Sequence, residues 1–399
     1  MICSCFVSYG FAQENDAQSE VLKKLQRLKV SGYIQTQYQW GEEDASLQVG
    51  SANENMDESF SRIGIRRGRI KFVYEESIAS GVFQLDMTEK GVAIKDAYLN
   101  IKDPWTKAFV LKAGVFDRPF GNEISYSSSR RESPERSAIF QALFPGERDL
   151  GASLTIQPSE KSILNFLKLE AGLFAGNGIR PEIDSKKDFI GHLSASKKWS
   201  FINIGGGISY YNGSVYQGSE NVYRMNGDAF ILNRSTDNKG KFAKREYIGF
   251  DTQLNINTGI GTTQLRAEYL IGEQPAKAGN LNSPNEASLP VHDTYIRDFT
   301  GGYVIIIQEL GELPICAVLK YDWYDPNTKV SKNNIGLKNT TKGDVAYNNF
   351  GFGILWNINS SLRLQAYYDI NKNEKSENLA NYNVDMKDNK FTLRLQYKF

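Results

Sequence analysis

The chain ends Phe391-Thr-Leu-Arg-Leu-Gln-Tyr-Lys-Phe399. Side chains alternate across a strand, so Phe391, Leu393, Leu395, Tyr397 and Phe399 share one face. Thr392, Arg394, Gln396 and Lys398 share the other. One face suits an apolar medium and the other suits water. Two structures fit such a strand: the last strand of a soluble sheet, or a strand of a barrel whose outside meets lipid. The rest of the chain decides between them.

The same alternation recurs upstream. Leu362, Leu364, Ala366 and Tyr368 oppose Arg363, Gln365, Tyr367 and Asp369. Leu265, Ala267 and Tyr269 oppose Gln264, Arg266 and Glu268. Ala317, Leu319, Tyr321 and Trp323 oppose Lys320 and Asp322. Alternating segments are predicted at 29–40, 65–76, 80–88, 94–102, 108–116, 148–157, 163–176, 187–197, 200–213, 245–257, 262–273, 295–309, 314–324, 345–357, 361–370 and 389–399. That is about sixteen, an even number as in single-chain bacterial barrels. Short connections near 77–79, 103–107, 158–161, 199, 258–261, 311–314 and 360 alternate with long polar ones at 41–64, 117–147, 177–186, 214–244, 274–294, 325–344 and 371–388. Only 89–93 is short where a long one is expected. Membrane barrels put short turns at the periplasmic end and long loops outside, whereas a soluble sandwich has no reason to segregate loop lengths.

Composition agrees. The 399 residues carry 47 Lys+Arg against 46 Asp+Glu, a net charge of +1, so no basic excess points to nucleic acid. Hydrophobic residues are 40% of the chain, and no apolar run of about 20 residues marks a membrane helix. A barrel needs no such run, because only alternate residues face lipid. A charge facing lipid at the midplane costs about 2–4 kcal/mol, so the mid-strand charges must point inward. The expected fold is therefore all-β: a transmembrane antiparallel β-barrel with a polar, water-filled interior rather than a packed core. The segment 295–309 departs from this. Tyr303-Val-Ile-Ile-Ile307 is apolar on both faces, and it is expected to pack against a loop or a neighbouring subunit.

At the other end, Gly10-Phe-Ala12 follows a short apolar stretch and resembles the tail of a secretory signal cleaved after Ala12. The basic residues that usually precede such a stretch are missing, which leaves a start upstream of Met1 open. Residues 1–12 are thus assigned to a signal remnant, 13–29 to a short periplasmic helical segment with Val21, Leu22, Leu25 and Leu28 at helical spacing, and 30–399 to the barrel. Cys3 and Cys5 would leave with the signal, and Cys316 alone forms no intrachain disulfide.

One block suggests a family. Gly114-Val-Phe-Asp-Arg-Pro-Phe-Gly121, then Glu135-Arg136, then Arg148-Asp-Leu-Gly151, with Asp96-Ala-Tyr98 ahead of them, resembles the phosphate-selective porin O/P family. The resemblance covers residues 108–157, the Val30-Ser-Gly-Tyr33 strand and the closing strand. It implies a sixteen-stranded, trimeric outer-membrane porin, with the loop after the fifth strand folded into the pore. The terminal Phe399 likewise resembles the closing aromatic of bacterial outer-membrane barrels. Read from its own residues, 117–147 is too long for a turn and too apolar for disorder. Phe120, Ile124, Tyr126, Ile139, Phe140, Leu143 and Phe144 need a surface to pack on, and the lumen wall offers one.

Arg118, Arg130, Arg131, Arg136 and Arg148 on this loop are candidate pore-lining groups. Arg67, Arg69 and Lys71 fall on one face of their strand and make a candidate anion path, with Lys112 and Arg394 adding inward positive charge. Guanidinium groups suit oxyanions because they bind two oxygens at once. For each cation a salt bridge bracing the wall is the competing reading. The family's arginine ladder does not map onto this chain residue by residue.

The expected activity is passive diffusion of small hydrophilic, anionic solutes such as phosphate across a bacterial outer membrane. The expected partners are those solutes, lipid and two further copies of the chain, without nucleic acid or cofactor. Two other classes compete. A barrel lipid hydrolase would need His192, with Asp188 and Ser194 on its face, or His292, to serve as a base. HExxH, phosphate-loop and dinucleotide patterns are all missing from the sequence. A surface-binding barrel would use the long loops rich in Asn, Lys and Asp.

Overall fold

The computed structural model describes residues 24–399. The assigned signal remnant and most of the helical segment lie outside them. Residues 24–26 are helical, and the first strand already begins at Leu28.

The first half of the wall is β1 (Leu28–Gly41), β2 (Phe60–Glu76), β3 (Ala79–Thr88), β4 (Gly91–Lys102), β5 (Phe109–Asp117), β6 (Arg148–Ile156), β7 (Leu167–Phe174), β8 (Asp188–Lys198) and β9 (Ile202–Tyr216). A hairpin of β10 (Asn221–Asn226) and β11 (Ala229–Arg234) follows in the loop. The second half is β12 (Phe242–Thr258), β13 (Gly261–Ala276), β14 (Thr294–Glu309), β15 (Ile315–Asp325), β16 (Tyr347–Asn357), β17 (Leu362–Asn373) and β18 (Lys390–Lys398). Without the hairpin the wall has 16 strands, and every predicted segment is present.

Each wall strand pairs antiparallel with the next one in the wall, β9 pairing with β12 across the hairpin. The closing strand seals the barrel: β18 pairs with β1 from Tyr33↔Lys398 to Gly41↔Lys390. The Gly32 and Phe399 amides extend the seam, donating to each other's carbonyls at 2.9 and 3.0 Å. No sheet edge is left open along this ring, as a membrane requires of strands.

Burial separates the two faces as the alternation predicts. Ile34, Phe83, Leu99, Phe250, Phe352, Ile354 and Leu395 are exposed on the outside, while Gln35, Gln37, Gln39, Gln365 and Arg394 are buried inside. An exterior this apolar belongs in lipid, and the chain is a transmembrane β-barrel of the outer-membrane type.

The interior differs from the expected open channel. Residues 118–147 fold inward and carry a short helix, α1 (Ala138–Leu143). Phe120, Ile124, Ile139, Phe140, Leu143 and Phe144 are almost wholly buried in one cluster with Phe174, Ile190, Tyr211, Tyr247, Leu270 and Phe299 from the wall. One side of the lumen is therefore a dry core. The alternation could not show this, because the loop supplies the apolar partner. The cluster also explains the doubly apolar strand: Tyr303, Ile305 and Ile307 of β14 point inward into it, and Val304 and Ile306 face outward.

The β10–β11 hairpin was not predicted. Its signal is Asn226-Gly-Asp228 between two apolar stretches, with Gly227 at φ 61°. It packs over the extracellular end, where β10 runs parallel to the start of β14.

Candidate pore site

The neck of the infolded loop is built from the motif residues. Arg118 reaches Asp149 at 3.2 Å, and Arg148 reaches Asp96 at 2.9 Å. Tyr98 packs edge-on against Phe116 with ring centroids 5.9 Å apart. Gly114 has φ 132°, and a Cβ there would meet the Ala97 carbonyl at 2.3 Å. Gly121, at φ 59°, lies so close to Glu268 that a Cβ would sit 2.0 Å from its carboxylate. Both positions therefore need glycine.

Beyond the neck, the wall holds the loop through its backbone. Glu268 accepts from the amides of Asn122 and Glu123 at 3.0 and 2.6 Å and from the Tyr303 hydroxyl at 2.7 Å. Asp322 accepts from the Ala138 amide at 3.0 Å at the start of α1. On the opposite side, Gln35, Gln396 and Arg394 donate to the carbonyls of Ser128, Ser129 and Pro134 at 3.0, 3.1 and 2.9 Å. The polar inner face of the closing strand is thus a docking rail for the loop.

Two bulges shape the charge around it. The β1–β2 register shifts between Gln35 and Thr36, so both Arg66 and Arg67 reach the lumen. The β3–β4 register shifts between Gln84 and Leu85, which brings both Lys95 and Asp96 inside. Strict alternation would send one residue of each pair into lipid. A bulge spends one extra residue to re-aim the chain. Sequence reading missed Arg66 and Lys95 for this reason.

Most predicted cations have partners. Glu135 binds Arg66 and Arg67 at 2.8 and 2.7 Å and Arg394 at 3.0 Å. Glu147 binds Lys95 at 2.5 Å, Arg148 at 3.1 Å and also Arg136. Arg69 pairs with Asp86 at 3.0 Å, and Lys112 with Glu170 at 3.6 Å. Arg118 is 2% exposed, between Asp149 and the Phe144 ring, and with Arg394 is among the predicted site residues set furthest from water. Arg131 is also buried, bonding the carbonyls of Ser133 and Pro134 at 3.4 and 3.1 Å.

Lys71 and Arg130 are different. Both line a cavity of about 360 Å³ on the short-turn side of the loop, together with Lys398, Arg69, Arg136 and Arg148. Among the described residues, Lys71, Arg130 and Lys398 have no ion-pair partner. Asp117 is, among the described residues, the one lining carboxylate there without a salt bridge. Serines 125 and 127–129 supply hydroxyls to the same cavity.

A second cavity of about 250 Å³ opens on the long-loop side and is lined by Asp322, Asp388, Lys390, Asn348, Asn349 and Asn371. Arg136 lines both cavities, which puts it at the narrow point between them. Burial beside Asp385, Asp44 and Glu42 raises the Asp388 carboxyl to about 6, against the pull of Lys390. The charge along the lumen is therefore uneven, balanced in the cavity toward the long loops and basic in the one toward the short turns.

A closed barrel with an apolar exterior and a loop folded into its lumen defines the porin fold. Solved structures agree. The chain is similar to OmpF of Salmonella typhi in complex with daunomycin, at 11% identity over 93% of this chain and 97% of that one, with a TM-score of 0.57. It is similar to the outer membrane channel DcaP of Acinetobacter baumannii, at 11% identity over 93% and 97%, with a TM-score of 0.56. It is also similar to the trimer form of OmpT of Vibrio cholerae, at 10% identity over 93% and 99%, with a TM-score of 0.53. At such identities the likeness is one of fold. No protein-family model and no curated protein matches the sequence.

Proposed function

We propose that this protein is an outer-membrane porin: a passive channel for small hydrophilic solutes that prefers anions. The observation that carries the reading is the set of unpaired cations Lys71, Arg130 and Lys398 beside the narrow point at Arg136. Fixed charge in a narrow passage with low-dielectric walls acts strongly on a passing ion. The motif block similar to phosphate-selective porins supports oxyanions as the preferred class. The interleaved carboxylates argue for modest preference over tight specificity, because Glu135 and Glu147 neutralise much of the arginine charge. Planar-bilayer recording tests this: currents in a salt gradient reverse toward the chloride potential, and Lys71→Glu with Arg130→Glu moves the reversal toward cations. Channels indifferent to those substitutions defeat the reading.

The hydrolase reading has less support. His192 Nε2 lies 2.8 Å from Asp251, and the Ser194 hydroxyl donates to the Lys168 carbonyl at 3.4 Å rather than to an imidazole. An esterase assay that loses signal in His192→Ala would restore it.

A homotrimer is part of the proposal. Strands β5, β6 and β7 have 9, 9 and 8 residues, against 17 and 16 for β12 and β13. At about 3.3 Å per residue and a tilt near 40°, the short strands stand roughly 20–23 Å high. The usual apolar band is about 25 Å tall. A neighbouring copy covers so low a wall better than lipid does, and the similar OmpT structure is described as a trimer form. Mass measurement in mild detergent checks it: three chains are expected, and one chain rejects this part.

A further inference from the structure

Glu135 sits as a bound anion would. Its Oε2 accepts from Arg66 Nη2 at 2.8 Å and Arg67 Nη2 at 2.7 Å, and its Oε1 from Arg66 Nε at 2.9 Å and Arg394 Nη2 at 3.0 Å. Arg131 Nη2 stands 3.9 Å away. Four guanidinium groups thus surround one carboxylate. Other donors of the four go to neutral acceptors, the side-chain oxygens of Gln35 and Gln37 and the carbonyls of Ser133 and Pro134. Arg131 Nη1 is buried without a partner. The neighbouring carboxylates are already engaged, Glu147 by its own three cations and Glu123 by Lys320. The cradle therefore keeps an excess of positive charge and a spare donor. It is not sealed, since the Arg66 side chain is 23% exposed and that of Glu135 is 13% exposed.

A guanidinium fork meets a carboxylate and a free oxyanion with the same geometry. Any oxyanion entering the cradle must compete with Glu135. Glu135 is carried on the infolded loop, so it competes intramolecularly, at an effective concentration of about millimolar or more.

We propose that Glu135 is a tethered competitor, a built-in anion that occupies the four-arginine cradle and keeps free oxyanions from being held there. The proposal rests on the anion-porin reading and adds to it the group that sets how tightly anions dwell. In the wild type anions pass; without the Glu135 charge the same arginines bind and retard them. The rival role is a mechanical pin that only fastens the loop.

The test uses the full chain in planar bilayers, with potassium chloride as carrier and inorganic phosphate as probe. In Glu135→Gln the anion-to-cation permeability ratio is expected to rise several-fold. Phosphate is expected to reduce the chloride current at concentrations about tenfold below those needed in the wild type, as removal of an intramolecular competitor predicts. Glu135→Gln with Arg131→Gln, which leaves three guanidiniums, is expected to fall between the two, and it decides the matter if the single variant inserts poorly. A larger current with unchanged selectivity and unchanged phosphate sensitivity means that Glu135 is only a pin, and overturns the proposal. A wild type that forms no channel overturns the underlying porin reading instead.

Discussion

Phe140→Ala should loosen the infolded loop without unfolding the barrel. Phe140 is 0% exposed, packed against Phe144 with ring centroids 5.9 Å apart and edge-on to Tyr303 at 6.2 Å. Both the transfer of the ring and the cavity it leaves count against the attached loop. Truncations of this kind cost about 3–5 kcal/mol. The wall's own hydrogen bonds do not pass through this side chain, so the cost falls on the contact between loop and wall. Since about 1.4 kcal/mol is a tenfold change, the detached population should rise on the order of a hundredfold or more. Single-channel recording should show brief openings to a larger level and more open-channel noise. Amide exchange should accelerate across 118–147 and stay unchanged in β1 and β18. Refutation would take one of two forms: a variant as quiet as the wild type with the same exchange, or a barrel that fails to assemble. Either would mean that the dry half of the lumen is not what holds the loop.

Other predictions follow from single groups. Gly121→Ala forces a Cβ onto the Glu268 carboxylate at a positive φ, so it should mimic Phe140→Ala in the same recordings; wild-type behaviour would deny the tight fit. The Asp388 carboxyl, raised to about 6, should lose its charge as pH falls through that value, making the vestibule less acidic and the pore more anion-selective. Its neutral form is the one the fold favours, so this group's contribution to stability is present at low pH and lost as pH rises through 6. Reversal potentials across pH 5–7 should show the step, and Asp388→Asn should reduce it. Deleting the β10–β11 hairpin, residues 221–234, should leave conductance intact; its loss would shift weight from a surface role of these loops to a channel role.

The barrel was legible because lipid leaves so few choices. The faces of Phe391–Phe399, repeated along the chain, and the segregation of short and long connections are consequences of one apolar medium outside and one end in the periplasm. The infolded loop was legible as well, since Phe120, Phe140 and Phe144 had to pack somewhere. What alternation hides is any break in alternation. Arg66 and Lys95 enter the lumen through bulges that need a partner strand to define them. Pairing was hidden for a different reason. The charges of Glu135 and Arg394 are plain in the sequence, but only the loop's path brings them to 3.0 Å. The expected water-filled interior therefore gave way to a lumen half filled by an apolar core and half lined by neutralised arginines. Lys71, Arg130 and Lys398 were left as the unpaired set beside the passage.

The central claim is a pore whose fixed charge favours anions, and the reversal potential of the wild-type protein in a potassium chloride gradient tests it most directly. A reversal shifted toward the chloride equilibrium potential is predicted. A shift toward the potassium potential, or no channel current at all, would contradict the account.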